Sequence, residues 1–248
     1  MLGIYLAGRM TLIRGDLTVT QRDLPGTLAR CVLAALVLRR APLRRSELAH
    51  MAHRGDVSPD TWDATLNSTV SRLRSQLGRL GLDGRQWLQS VDGTVEFCRP
   101  DAIAVDVESA HSAIDRADVL WRTGEHHAAW SEATVAYSVA SRPFLPGVSS
   151  LWAEQVQHDL DGVRHRALAL IVESCLLSGD IHQAQAAALR LVRDDQFSEV
   201  NHRLLIRAHL AAGDRAKAKR ALDNLEQMMG TELGVAPSPT TLSLLAGA

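Results

Sequence analysis

The residues best suited to chemistry lie in one stretch, TLNSTVSRLRSQLG at residues 65–78. Trp62, Leu66, Val70, Leu73 and Leu77 recur at helical spacing and define an apolar stripe. At about 100° per residue, the opposite face carries Ala64, Ser68, Ser71, Arg72, Ser75 and Arg79, with Asn67 and Arg74 on its flanks. Small hydroxyl and amide side chains let a helix approach a nucleic-acid duplex closely. Arginine can pair with guanine edges or hold phosphate, and asparagine can read adenine. The bland reading of the same face is the solvated side of an amphipathic helix, so the neighbouring elements decide between the two.

Other chemistries lack their minimal parts. No GxxxxGK[ST], GxSxG or HExxH occurs, which leaves phosphate-loop, serine-hydrolase and zincin mechanisms without their core residues. His50 and His53 lie three apart and His126 and His127 are adjacent, but neither pair has further ligands at zinc-like spacing. Glu108 and His111 share a helix face and are read as solvated. No enzyme, cofactor or metal is expected.

Hydrophobic residues make up 46% of the 248 and charged residues 22%, a globular composition. Two domains of ordinary size fit this length. The net charge of −1 conceals an asymmetry: residues 1–100 hold 14 arginines against 9 acids, and residues 101–248 are net acidic. A basic first half suggests that only this part meets nucleic acid. No apolar run reaches a membrane span, and no signal peptide is read at the N-terminus. Cys31, Cys98 and Cys175 fit neither a disulfide framework nor a CxxC metal site. The chain is therefore expected in a reducing cytoplasm.

The elements that would position the candidate helix are legible around it. Short apolar runs at 4–6, 10–13 and 17–20, separated by turn residues, predict a small antiparallel sheet. Pro25-Gly26 breaks the chain, and TLARCVLAALVLRR predicts a helix buried on nearly all sides and ending before Pro42. Ser46 is expected to cap a short second helix, residues 56–59 to form a loop, and Asp60 to cap the third helix, which runs to about Leu80. After a turn at 81–84, two alternating runs, 87–91 and 94–97, flank Asp92-Gly93 and predict a β-hairpin. Sheet, three helices and terminal hairpin are the parts of a winged helix, whose last helix enters the major groove.

LPGTLARCVLAALVLRRAPLRRSELA followed by TLNSTVSRLRSQLG resembles the OmpR/PhoB-type winged helix, in the variant of the Streptomyces antibiotic regulatory protein (SARP) family. Val70-Ser71-Arg72-Leu73-Arg74, then Leu77-Gly78, matches the recognition-helix core of that family. The resemblance implies that Arg72 and Arg74 contact DNA, with Asn67, Ser68 and Ser71 near base edges or phosphates; Ser75, on the same polar face, is expected to join them. Arg44 and Arg45 ahead of the second helix and Thr94 in the wing complete the expected DNA-binding set. Two departures stand out. The family wing carries a basic residue where this chain has Asp92 and Glu96, which repel phosphate. The second helix ends in His50-Met51-Ala52-His53, where the family commonly has Leu-Trp.

Residues 101–107 read as a linker, and beyond them the pattern is helical almost throughout. Gly124-Glu125-His126, Gly179-Asp180-Ile181 and Gly213-Asp214-Arg215 each open a polar turn that leads into an Ala-containing helix. The last two lie 34 residues apart, the tetratricopeptide period. An insertion that includes residues 142–147 separates them from the first. This half is similar to the bacterial transcriptional activator domain of SARP proteins. The similarity is carried by Val105-Asp106-Val107, Trp152-Ala153-Glu154 and Glu232-Leu233-Gly234-Val235-Ala236-Pro237-Ser238-Pro239.

The fold expected is mainly α: a winged helix over 1–100, a linker over 101–107, and an all-α tetratricopeptide-like array over 108–248. The resemblance implies an activator of a biosynthetic gene cluster that reads promoter repeats in double-stranded DNA. Its helical half would engage RNA polymerase holoenzyme or a second protomer as a homodimer on DNA; no membrane is involved. Two alternatives stay open: an interaction module with a degenerate winged helix, motivated by the acidic wing, and a ligand-sensing regulator that uses the concave helical surface.

Overall fold

The computed structural model describes residues 1–52, 59–99 and 103–245. These form two compact units, residues 1–111 with 138–162, and residues 112–137 with 163–248.

In the first unit, β1 (Leu2–Tyr5), β2 (Thr11–Arg14) and β3 (Leu17–Thr20) make an antiparallel meander. Helix α1 (Gly26–Arg39) follows and is buried without interruption from Ala29 to Val37, as its all-round apolar sequence requires. It ends at Arg40, which takes a left-handed φ of 52°. β4 (Leu43–Arg44) leads directly into α2 (Arg45–Ala52). Helix α3 (Pro59–Arg79), a short α4 (Gly84–Trp87), β5 (Leu88–Val91) and β6 (Thr94–Phe97) complete the winged helix. In the β5–β6 hairpin, Asp92 and Gly93 both have positive φ, 49° and 77°, the geometry a two-residue turn needs to match strand twist.

Several local expectations are corrected. Ser46 does not cap α2: the helix begins one residue earlier, and the Glu47 carboxylate accepts the Arg44 backbone N–H at 2.7 Å, half of a capping box. Pro59 opens α3, where its missing N–H costs nothing, so Asp60 lies inside the helix rather than ahead of it. The rest of the expected 56–59 loop lies outside the described residues, as do 101 and 102 of the linker. The linker residues Ile103–Val105 form a strand, β7, paired in parallel with β1. Asp83 caps α4, its carboxylate accepting the N–H groups of Arg85 and Gln86, where only a turn was expected.

Asp106 fastens β7 to β1. It is buried, and its Oδ1 accepts the N–H groups of Leu6 and Val107, both at 2.8 Å, while Oδ2 accepts that of Ala7 at 3.0 Å. Glu108, two residues on, is clamped rather than solvated. Arg40 donates to it through Nε and Nη2 (3.0 and 2.5 Å), and Arg99 through Nη1 and Nη2 (3.0 and 2.7 Å). Burial raises the Glu108 pKa, but the two guanidiniums outweigh it and hold the carboxyl below its ordinary value. The insertion at 142–147 docks on the sheet: Ala7 bridges Phe144, and the Gly8 N–H donates to Pro143 O at 2.8 Å.

Helices α5 (Asp106–Arg122), α6 (His126–Ala140) and α7 (Leu151–Ser178) each run from one unit's residues into the other's. The second unit adds α8 (Ile181–Asp194), α9 (Glu199–Ala211) and α10 (Arg215–Met228). Asp180 and Asp214, 34 residues apart, occupy matching caps, accepting from the N–H groups of Gln183 and Lys217. Gly179 and Gly213 supply the positive φ, 81° and 72°, just before each cap. Buried Asn201 ties the hairpins together, bonding Leu191 O, Asp195 O and the His165 ring. After a π-helical turn at Met229–Leu233, the chain returns to α9, where Glu199 Oε2 accepts from Ser238 N, Ser238 Oγ and Thr241 Oγ1. That contact gives the Pro-Ser-Pro segment its physical role.

Candidate nucleic-acid interface

Helix α3 is oriented by its apolar stripe. Trp62, Leu66, Val70, Leu73 and Leu77 are all buried, and the Trp62 indole N–H donates to Arg45 O at 2.7 Å. Its C-terminal end is held by Arg14, whose Nη1 donates to Leu80 O and Gly81 O, both at 2.9 Å. Gly84 packs against the helix backbone so tightly that a Cβ there would lie 2.3 Å from Arg74 O. With one side so committed, Ser68, Ser71, Arg72 and Ser75 are exposed together at positions i, i+3, i+4 and i+7. Arg72 makes no hydrogen bond or ion pair among the described residues.

The other expected residues are placed differently. Arg45 reaches across from α2, donating through Nη1 to Asp63 Oδ1 at 3.1 Å and through Nη2 to Asn67 Oδ1 at 2.7 Å and Ser90 Oγ at 3.4 Å. It therefore cross-links α2, α3 and the hairpin. Arg74 is half-buried, and its Nε donates to Leu88 O at 2.9 Å, joining α3 to the base of the wing. Thr94 Oγ1 donates to Val91 O at 2.7 Å and so closes the hairpin turn. Arg79, on the exposed face, pairs with Asp23 at 2.7 Å. The Thr20 hydroxyl and then Arg79 hold the Asp23 carboxyl well below the usual carboxylate range.

β4 brings two members of the set together. Arg44 stands directly opposite Thr94 in the β4–β6 ladder, with its side chain exposed beside the wing. Asp63 and Ser90 were missed by sequence reasoning, although Asp63 sits one turn before Asn67 on the same helix face. Ser90 carries no comparable signal, because its role depends on where the hairpin folds back. Among the described residues, this surface presents an arginine without an internal partner amid serines on α3, a second exposed cation at Arg44, and an acid, Asp92, at the wing tip. Among the described residues no helix is long and apolar enough to cross a membrane.

No curated protein matches the chain. Among solved structures it is similar to Mycobacterium tuberculosis EmbR in complex with low affinity phosphopeptide, with a TM-score of 0.85 and 22% identity. The match covers 99% of this chain and 64% of that one, so the chain spans less than two thirds of its length. At that identity the likeness is one of fold. The model of the bacterial transcriptional activator domain matches residues 105–246, beginning at the last residue of β7 and covering more than half of the chain. The chain belongs to the bacterial transcriptional activator domain family, and its fold is that of a SARP-type transcription regulator.

Proposed function

We propose that this chain is a sequence-specific DNA-binding transcriptional activator that lays α3 in the major groove, with the β5–β6 hairpin alongside. The observation that carries the reading is the exposed row of Ser68, Ser71, Arg72 and Ser75, set by a fully buried stripe on the other side of the helix. Short hydroxyls permit close approach, and an arginine with no internal partner is available to a base edge or phosphate. The arginine-rich first hundred residues agree with this placement. In this reading residues 108–248 engage RNA polymerase holoenzyme or a second protomer in the cytoplasm, the target is a biosynthetic gene cluster, and the operator is a set of promoter repeats.

Genome-wide footprinting of the tagged protein identifies the repeats, and anisotropy on that duplex then gives affinity against salt. A DNA reader loses affinity linearly in log salt, with a slope of about 0.9 per neutralised phosphate. Absence of an enriched repeat, together with a flat salt profile, would overturn the proposal. A second reading has its own support: Arg45, Arg74 and Thr94 are engaged in internal hydrogen bonds and Asp92 faces outward. An interaction module whose winged helix no longer binds DNA would give that flat profile and still retain the fold.

A further inference from the structure

Asn67 is held in one orientation by its neighbour. It is exposed on α3 one turn before Ser71, and Arg45 Nη2 on α2 donates to its Oδ1 at 2.7 Å. A free amide can turn over and exchange its oxygen for its nitrogen. This one cannot, because a guanidinium carries only donors, so the atom facing it must be the oxygen. Arg45 is itself anchored: its Nη1 donates to Asp63 Oδ1 at 3.1 Å, and its side chain is only 22% exposed. The Asn67 amide nitrogen is left without a hydrogen bond among the described residues.

That arrangement limits which base edge Asn67 can read. Asparagine pairs with adenine through both ends of its amide, the oxygen accepting from N6–H₂ and the nitrogen donating to N7. In this chain a charged donor already occupies the oxygen, and an incoming N6–H₂ would have to compete with that charge-assisted bond. What remains is the amide NH₂, a donor alone. Guanine offers adjacent acceptors, O6 and N7, and no donor on the same edge. We propose that Asn67 is a specificity-determining residue that selects guanine over adenine, its NH₂ donating to the guanine edge, and that Arg45 is the positioning residue that imposes this choice. The inference rests on the proposed reading of DNA by α3 and adds the base that one of its side chains selects.

The test uses the full chain: bound duplexes are selected from a library randomised across the repeat, and anisotropy then follows on single duplexes. The wild type is expected to select guanine at one position where Asn67→Ala loses the choice. That variant should bind the guanine duplex about tenfold more weakly and the adenine duplex unchanged. Asn67→Asp keeps one oxygen on Arg45 and puts the other where the amide nitrogen stood, so the same position should turn to cytosine, whose N4–H₂ is a donor. Arg45→Ala frees both ends of the amide, and adenine should then be accepted there beside guanine. Uniform weakening of every duplex by Arg45→Ala would overturn its positioning role. An Asn67→Ala profile identical to that of the wild type overturns the inference and leaves DNA reading by α3 standing. So does any base other than guanine, in the wild type, at the position that Asn67→Ala flattens, or guanine retained there by Asn67→Asp. A wild type that enriches no sequence overturns the DNA reading itself, and this inference with it.

Discussion

Arg45 Nη2 donates to Asn67 Oδ1 at 2.7 Å, so two residues each expected to meet DNA are each other's partner. The same guanidinium holds Asp63 on α3 and Ser90 on the hairpin. The sequence places these residues on three separate elements; the fold makes them one brace that fixes the angle of α3 against the wing. The two arginines are thereby divided: Arg72 faces outward without a partner among the described residues, and would do the reading if α3 meets DNA as proposed, while Arg45 positions the helix that carries it.

That division predicts different outcomes for two alanine variants. Arg72→Ala should lower affinity for the operator by about 1–3 kcal/mol, the cost of losing one good base contact, and leave the thermal midpoint unchanged. Arg45→Ala should lower both affinity and midpoint, because it removes three hydrogen bonds that cross elements. Anisotropy and calorimetric melting read the two effects separately. Operator binding that survives Arg72→Ala intact would remove Arg72 from the interface.

Gly84 is required by a close approach rather than by its φ. A methyl group there would sit 2.3 Å from Arg74 O, a backbone atom that cannot rotate away. Gly84→Ala should therefore displace α4 from α3 and cost about 1–3 kcal/mol, as overpacking does. It should also loosen the bond from Arg74 Nε to Leu88 O, and with it the wing. Urea unfolding gives the first effect, and faster amide exchange in the β5–β6 hairpin the second. An unaltered midpoint would mean that the backbones separate without cost.

What the sequence made legible, and what it did not, follows the range of the contacts. The α3 stripe and the Asp92-Gly93 turn rest on neighbours within a few residues, and both formed as expected. β4 is two residues long and exists only because β6 folds back beside it, so Leu43 and Arg44 carry no strand signal of their own. Ile103–Val105 read as a linker because its partner, β1, lies about a hundred residues earlier. The insertion at 142–147 interrupts the helical periodicity plainly enough. Nothing local says that Phe144 will bridge Ala7. Among the expected DNA residues, spacing correctly placed Ser68, Ser71, Arg72 and Ser75 on one face. It could not show that Leu88 O would be waiting for Arg74.

Glu108 should make stability fall on acidification. Its folded pKa is depressed below the ordinary 4.5. The stabilisation from its two arginines is therefore fully present above that value and is lost as pH falls through the folded value. Glu108→Gln should cost roughly 1 kcal/mol at neutral pH, since Arg40 is largely exposed and screening is strong. The variant should also show a shallower loss between neutral pH and the acid limb. Thermal midpoints of both proteins across that range decide it: parallel curves would mean that the clamp contributes nothing that titrates.

Asp106 tests whether the β1–β7 pairing depends on its carboxylate or only on the ladder. Two oxygens serve three N–H groups, those of Leu6 and Val107 on Oδ1 and that of Ala7 on Oδ2. Asparagine keeps one acceptor oxygen and places an NH₂ where the other stood, so at least one buried backbone donor faces another donor. Losing a buried acceptor in this way costs about 1–3 kcal/mol. Burial works in the opposite sense: it raises the Asp106 pKa, so the ionised side chain bears a desolvation penalty that asparagine lacks. Counting donors, the lost acceptor should outweigh the relieved charge, and Asp106→Asn should melt earlier than the parent. Leu6 and Ala7 should also exchange their amide protons faster. Unchanged protection at both amides would assign the pairing to the ladder alone.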